Sequence, residues 1–188
     1  MTHDEYDKCI STGERQLTGF WEKLTHYGLV FFFLFMPAVV LCLQLVDYLK
    51  GDHPFYWGFD PWIIAIQLVL SGLTFWIQKR RLRFKIIQTI LTRAQVEAII
   101  ERVADELEWK GHFVTSKIYK AKTYPGFFSG SWGEEITILL PDNRIFINSI
   151  CDPDKKSSVT SMGRNWENED LVVKSIKRAE EIVVNGIS

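Results

Sequence analysis

Between Tyr27 and Val46 the chain reads YGLVFFFLFMPAVVLCLQLV, without one Asp, Glu, Lys, Arg or His. A helix crosses the hydrocarbon core of a bilayer with about 20 consecutive apolar residues, and this run is long enough. Pro37 sits in its middle. In water, a proline inside a helix forfeits a hydrogen bond and clashes with the preceding turn. In a membrane, neighbouring helices can satisfy the freed carbonyl. The run therefore predicts a first transmembrane helix. A cleaved signal peptide is not expected, because the run begins late, is long and lacks a small-residue cleavage site. Two buried helices of a soluble core are the alternative, but a chain of 188 residues has little else to cover them with.

A second run, Pro61 to Gln78, reads PWIIAIQLVLSGLTFWIQ. Asp60 before Pro61 is an N-cap followed by proline at the first helical position. Trp62 and Trp76 lie near its ends, with Tyr48, Tyr56 and Trp57 by the connection, where interfacial rings belong. That connection carries a single lysine, Lys50, whereas KRRLRFK after the second run supplies Lys79, Arg80, Arg81, Arg83 and Lys85. With Lys8, Arg15 and Lys23 ahead of the first run, the excess of Lys and Arg predicts both termini in the cytoplasm. Residues 27–78 then form a transmembrane helical hairpin in the cell (inner) membrane. The basic collar is expected against anionic headgroups, which makes membrane lipid the first partner. Gln44, Gln67, Ser71 and Thr74 are the polar residues within the runs, and none ionises, so no proton relay or ion site is indicated. Ser71–Gly72 suits close helix packing, hence self-association or a protein partner through these helices.

Residues 1–26 are polar, but Leu17, Phe20, Trp21 and Leu24 recur at helical spacing. This predicts a short amphipathic helix lying at the interface. Residues 79–188 read as a cytoplasmic α+β domain. RLRFKI alternates as a strand does, although Arg81–Leu91 could equally continue the second apolar helix. Thr92 and Gln95 form a capping box, with Leu91 and Val96 as its hydrophobic staple. Val96, Ile99, Ile100, Val103 and Leu107 make one apolar stripe, and Gly111 is placed to stop the helix. HFVTSKIYKAKTY reads as one β-rich segment. EEITILL and RIFINSI are strands joined by a Pro141–Asp142–Asn143 turn. A polar loop from Asp152 to Arg164 leads to a last helix, from about Glu169 to Val184, with Leu171, Val172, Ile176, Ala179 and Val183 on one face. The order is β-α-β-β-β-α, a two-layer sandwich with an antiparallel sheet and both helices on one face.

The formal net charge is −1 and acids are interleaved with bases outside the collar, so nucleic acid is not an expected partner. Cys9, Cys42 and Cys151 have no metal-ligand spacing, and the soluble part is expected in a reducing compartment. Of His3, His26, His53 and His112, only His112 falls in the α+β domain. No H-x-x-x-H, C-x-x-C, G-x-S-x-G or phosphate-loop pattern is present. The chain thus offers no catalytic residue, cofactor or metal site by motif. Glu134, Glu135, Asp152 and Asp154, with Lys155, are the one set that could converge for metal-dependent chemistry. Asp152–Pro153–Asp154 also reads as plain turn chemistry. The candidate binding residues are Trp132, Glu134, Asp152, Asp154, Arg164 and Asn165. Trp132 is expected to pack under the helices and seal the core, with Gly133 supplying a positive φ or a bulge.

SWGEEITI (131–138), INS (147–149) and GRNWEN (163–168) together resemble a recurrent small bacterial α+β domain family. Its members pair a strand-opening S-W-G-E motif with a later G-[K/R]-N before a C-terminal helix, and often carry membrane segments. Met162 stands where the family's pattern has an acidic–aromatic pair. The resemblance implies the fold and the membrane attachment, and no activity. The expected function is an integral membrane protein whose cytoplasmic α+β module binds or scaffolds a partner without catalysis. The alternatives are a membrane-tethered metal-dependent hydrolase or phosphodiesterase using Glu134, Asp152 and Asp154, and a lipid- or amphiphile-binding domain at the inner leaflet.

Overall fold

The structure is a computed structural model that describes residues 1–51, 61–126, 132–155 and 163–186. In chain order it contains α1 (His3–Thr12), α2 (Phe20–His26), α3 (Gly28–Lys50), α4 (Pro61–Arg81), β1 (Lys85–Gln88), α5 (Arg93–Glu106), β2 (Lys110–Thr115), β3 (Ile118–Lys122), β4 (Glu134–Leu139), β5 (Arg144–Cys151) and α6 (Arg164–Val184). The expected cap Asp60 lies outside the described residues, as does most of the polar loop before α6.

The apolar helix α3 runs through Pro37 without a break and ends at Gly51 in the left-handed conformation. It packs against α4. Tyr27 stacks near Phe75, and the Ser71 hydroxyl reaches the Val30 carbonyl at 3.5 Å, so the pair is antiparallel. Both helices are long and apolar enough to cross a membrane. Their outer flanks are bare: Phe35 is 64% exposed and Val69 69%. The segment Arg81–Leu91 follows the strand reading of its sequence: α4 ends at Arg81 and β1 spans Lys85–Gln88.

The sheet has the order β1-β5-β4-β3-β2 with antiparallel neighbours throughout. It holds one strand more than the pattern predicts, because HFVTSKIYK folds back on itself as β2 and β3. Ser116–Lys117 makes that turn, and the Thr115 hydroxyl accepts from the Lys117 N–H at 3.2 Å. With no Gly, Pro, Asn or Asp there, the usual turn signal is absent. Gly111 was expected to stop α5, but it lies in β2. A Cβ there would come within 2.3 Å of the Ala121 Cβ and 2.5 Å of the Lys120 carbonyl. The helix instead ends at Leu107, followed by Glu108 at φ 54°.

A second correction concerns the layers. The α5 and α6 helices cover one face over Ile136, Ile138, Ile145, Ile147, Tyr119 and Ala121. Burying each isoleucine there contributes about 1.5–3 kcal/mol. The opposite face is covered as well. Cys9 of α1, fully buried, seats against Phe84, Ile118, Leu139 and Phe146. Leu17 joins Leu82 and Ile150 beside it. The module therefore has a helix layer on both faces of the sheet. The α1 helix was not foreseen, and it is capped by Thr2 and Glu5, whose carboxylate accepts from Thr2 N–H at 2.9 Å.

Candidate functional site

The pair α3–α4 meets the α+β module at a polar joint built from three pieces of chain. The strand-like stretch Gly13–Arg15 lies along Leu82–Phe84, with Arg15 N–H donating to the Leu82 carbonyl at 2.7 Å and Phe84 N–H to Gly13 at 2.8 Å. From β5, the fully buried Asn148 amide donates to the Arg81 and Arg83 carbonyls at 2.8 and 3.1 Å. Those carbonyls sit where α4 has ended and β1 has not begun, so backbone acceptors left by the break are satisfied by a side chain. His26, buried, lies 3.1 Å from the Gln78 carbonyl through Nε2. Burial pushes its pKa below the usual histidine value, although that hydrogen bond and Glu22 oppose the shift.

Ion pairs extend the joint over the α1-facing side of the sheet. The Arg15 guanidinium is 4% exposed and lies 2.8 Å from Glu135 and 3.5 Å from Glu22. Lys120 approaches the same Glu135 carboxylate at 3.6 Å. Burial alone would raise the Glu135 pKa, but Arg15 and Lys120 overcome it and hold the carboxyl below its ordinary value. Farther along, Lys122 bridges Asp152 at 2.9 Å and Asp154 at 2.5 Å.

The candidate carboxylates are therefore not brought together. Asp152 is buried on the α1-facing side with Lys122, and Asp154 shares that lysine from an exposed position. Glu134 is fully buried and turned the other way, in line with Ile136 and Ile138, where the Thr123 hydroxyl donates to its carboxylate and accepts from its N–H. No group of three or more His, Cys, Asp and Glu among the described residues is placed to hold a metal ion. Gly133 does need its positive φ of 117°, and a Cβ there would come within 2.7 Å of the Thr123 carbonyl. Trp132 departs from expectation: it is 48% exposed, and Trp109 seals the core instead.

Asn165 and Asn168 anchor α6 to the sheet. The Ser149 hydroxyl donates to Asn165 Oδ1 at 3.1 Å and accepts from Asn168 Nδ2 at 3.0 Å, while Trp109 Nε1 donates to Asn168 Oδ1 at 3.2 Å. Beside them Glu169 Oε1 accepts the Ser149 N–H at 2.9 Å. Burial pushes the Glu169 pKa up to about 7, against the Ser149 hydrogen bond and the charges of Lys85 and Arg81. Arg164 opens the helix.

The basic collar divides by position. Lys85 pairs with Asp170 at 3.3 Å and Arg83 with Glu14 at 3.4 Å. Arg80 lies over the Trp76 ring at 5.5 Å, and Arg81 donates only weakly, to the Cys151 thiol at 3.9 Å. Arg80, Arg81 and Arg83 line a cleft of about 520 Å³ between the end of α4 and the start of α6, with Trp76, Trp166 and Glu169. Sequence patterning marked the arginines but not the facing wall, because Trp166 and Glu169 come from the far end of the chain. Comparison with known protein families and with curated proteins finds no match, so the contacts just described are what define these residues' roles.

Proposed function

We propose that this chain is an integral membrane protein of two spans, and that its α+β module is a non-catalytic binding or scaffold unit held at the inner leaflet. The joint carries this reading. Chain from before α3 and chain from after α4 is tied into one sheet at one end of the apolar pair, through Arg15, His26, Asn148 and the Cys9 seat. The bare apolar flanks of α3 and α4 suit lipid contact, and exposed Phe20, Trp21 and Trp76 suit the headgroup zone. Residues 1–26 and 82–186 then occupy one side of the bilayer, and the collar favours the cytoplasm for that side. A hydrolase has less support, because its carboxylates are split across the sheet and engaged by Thr123 and Lys122.

Cysteine labelling tests the reading in a background without native thiols. A cysteine within residues 50–59 should react with an impermeant maleimide in intact cells, and one at Lys117 only after lysis. Reaction at Lys117 in intact cells would overturn the orientation. Release of the full chain by alkaline carbonate would overturn the spans. For the scaffold role, a photo-crosslinker at Val114, on the exposed β2 edge, should give one discrete adduct in membranes; turnover of a phosphodiester by the purified protein would instead revive catalysis.

A further inference from the structure

We propose that the cleft between α4 and α6 binds the phosphate group of an anionic lipid headgroup. This rests on the two-span reading above and assigns the site at which lipid is recognised.

Three observations carry it. First, the cleft gathers three guanidinium groups, and two of them lack a carboxylate partner within ion-pair distance among the described residues. Arg80 has only the Trp76 ring, and Arg81 only the Cys151 thiol. Three buried or half-buried cations nearby are, by contrast, met by acids: Arg15 by Glu135, Lys85 by Asp170, Lys122 by Asp152. Guanidinium forks match phosphate oxygens in charge and shape, with hydrogen bonds stronger than those between neutral groups.

Second, the walls are aromatic and exposed. Trp166 is 68% exposed and Trp76 57%, on opposite sides of the cleft. Indole rings favour the headgroup zone, with a polar N–H and an apolar body. Trp76 lies in the last turns of α4, so the cleft opens at the depth where the apolar surface of α4 gives way to charge.

Third, the single acid in the cleft is already occupied. Glu169 Oε1 accepts the Ser149 N–H, and its raised pKa leaves it partly protonated near neutrality. Lys85 and Arg81 are the charged groups acting on it from the sheet side and from α4. The cleft therefore keeps a net positive charge near pH 7.

Titration of phosphatidylglycerol into the detergent-solubilised full chain, followed by native mass spectrometry, tests the site. Arg80→Gln with Arg81→Gln should weaken the tightest lipid adduct about tenfold, for two lost charge-assisted contacts. Trp166→Ala should weaken it less. Lys79→Gln, which removes one charge outside the cleft and is matched against each arginine single variant, should change it by about twofold or less. Equal losses in Lys79→Gln and in either arginine single variant would overturn the cleft in favour of diffuse collar charge. Competition by soluble glycerol phosphate as effective as the lipid itself would overturn the lipid as source and leave a soluble phosphate ligand. Carbonate release of the wild-type chain would remove the two-span reading and the lipid site together. An undiminished lipid adduct in the double arginine variant, with carbonate resistance kept, would overturn the cleft alone.

Discussion

The two faces of the sheet are built on different principles. Toward α5 and α6 a large apolar core fully encloses Ile100, Ile136, Ile147 and Ile176, with buried Glu134, Ser149, Asn165 and Asn168 beside it. Toward α1 a small apolar seat around Cys9 shares the face with Arg15, Glu135, Lys120, Lys122, Asn148 and Asp152. Area removed from water is what stabilises the first face. The second gains little net energy from its ion pairs, since desolvation offsets their attraction. What the pairs provide is register: Arg15, in the linker after α1, is held between Glu135 and Glu22, so that linker docks in one way.

The largest effect should come from the apolar face. Ile138→Ala removes a fully buried side chain and should cost about 3–4 kcal/mol, read as a lower unfolding midpoint in detergent. An equal loss from Lys122→Ala would erase the contrast between the faces. Next, Glu135→Ala leaves the buried Arg15 with only the longer Glu22 contact and should cost about 3 kcal/mol. Replacing both partners, Arg15→Met with Glu135→Leu, should restore most of that loss, and failure to do so would make the pair a net stabiliser.

Acidity separates the faces further. Glu169, on the α6 side, has a folded-state pKa raised from 4.5 to about 7. Folding therefore favours its protonated form: its contribution is full below pH 4.5 and is lost as pH rises through about 7. Glu169→Gln should be more stable than the wild type at pH 8 by about 2 kcal/mol, allowing for partial exposure, and equal to it below pH 4.5. Glu135, on the α1 side, runs the other way. Its pKa is lowered, so its contribution is present above pH 4.5 and fades as pH falls below that value. The smallest effect is Asp154→Ala, about 1 kcal/mol or less, because Asp154 is exposed and Lys122 keeps its bond to the buried Asp152.

Local patterning made one half of this molecule readable. Gln95 accepts the Thr92 N–H at 2.8 Å, Leu91 and Val96 are buried together, and Val96, Ile99, Ile100 and Val103 all face the core. The Pro141–Asp142–Asn143 turn holds, with Arg144 N–H donating to Pro141 at 3.0 Å and Asp142 at φ 48°. These are short-range devices, fixed by residues a few positions apart. The extra strand was hidden because Thr115–Lys117 lacks Gly, Pro, Asn and Asp, and α1 because it buries little besides Cys9. The site was hidden for a different reason. Asn148 finds Arg81 and Arg83, and Trp166 faces Trp76, only after the chain has closed. Acids such as Asp152 looked catalytic in sequence because a lysine thirty residues away is invisible to spacing.

The seat of Cys9 has a consequence for the order of folding. Its walls, Phe84, Ile118, Leu139 and Phe146, belong to β3, β4 and β5 and to the residue just before β1. A ribosome releases α1 before β3, β4 and β5, so α1 must wait unpartnered until those strands have been made. Contacts between such distant parts of a sequence form slowly, because closing the long loop between them costs entropy before it is repaid. The apolar pair lies inside that loop. Bringing α3 and α4 together sets its two ends side by side, and so shortens the search that α1 must make. In this protein the helices that look like an anchor also act as the clasp that lets the sheet's second face close.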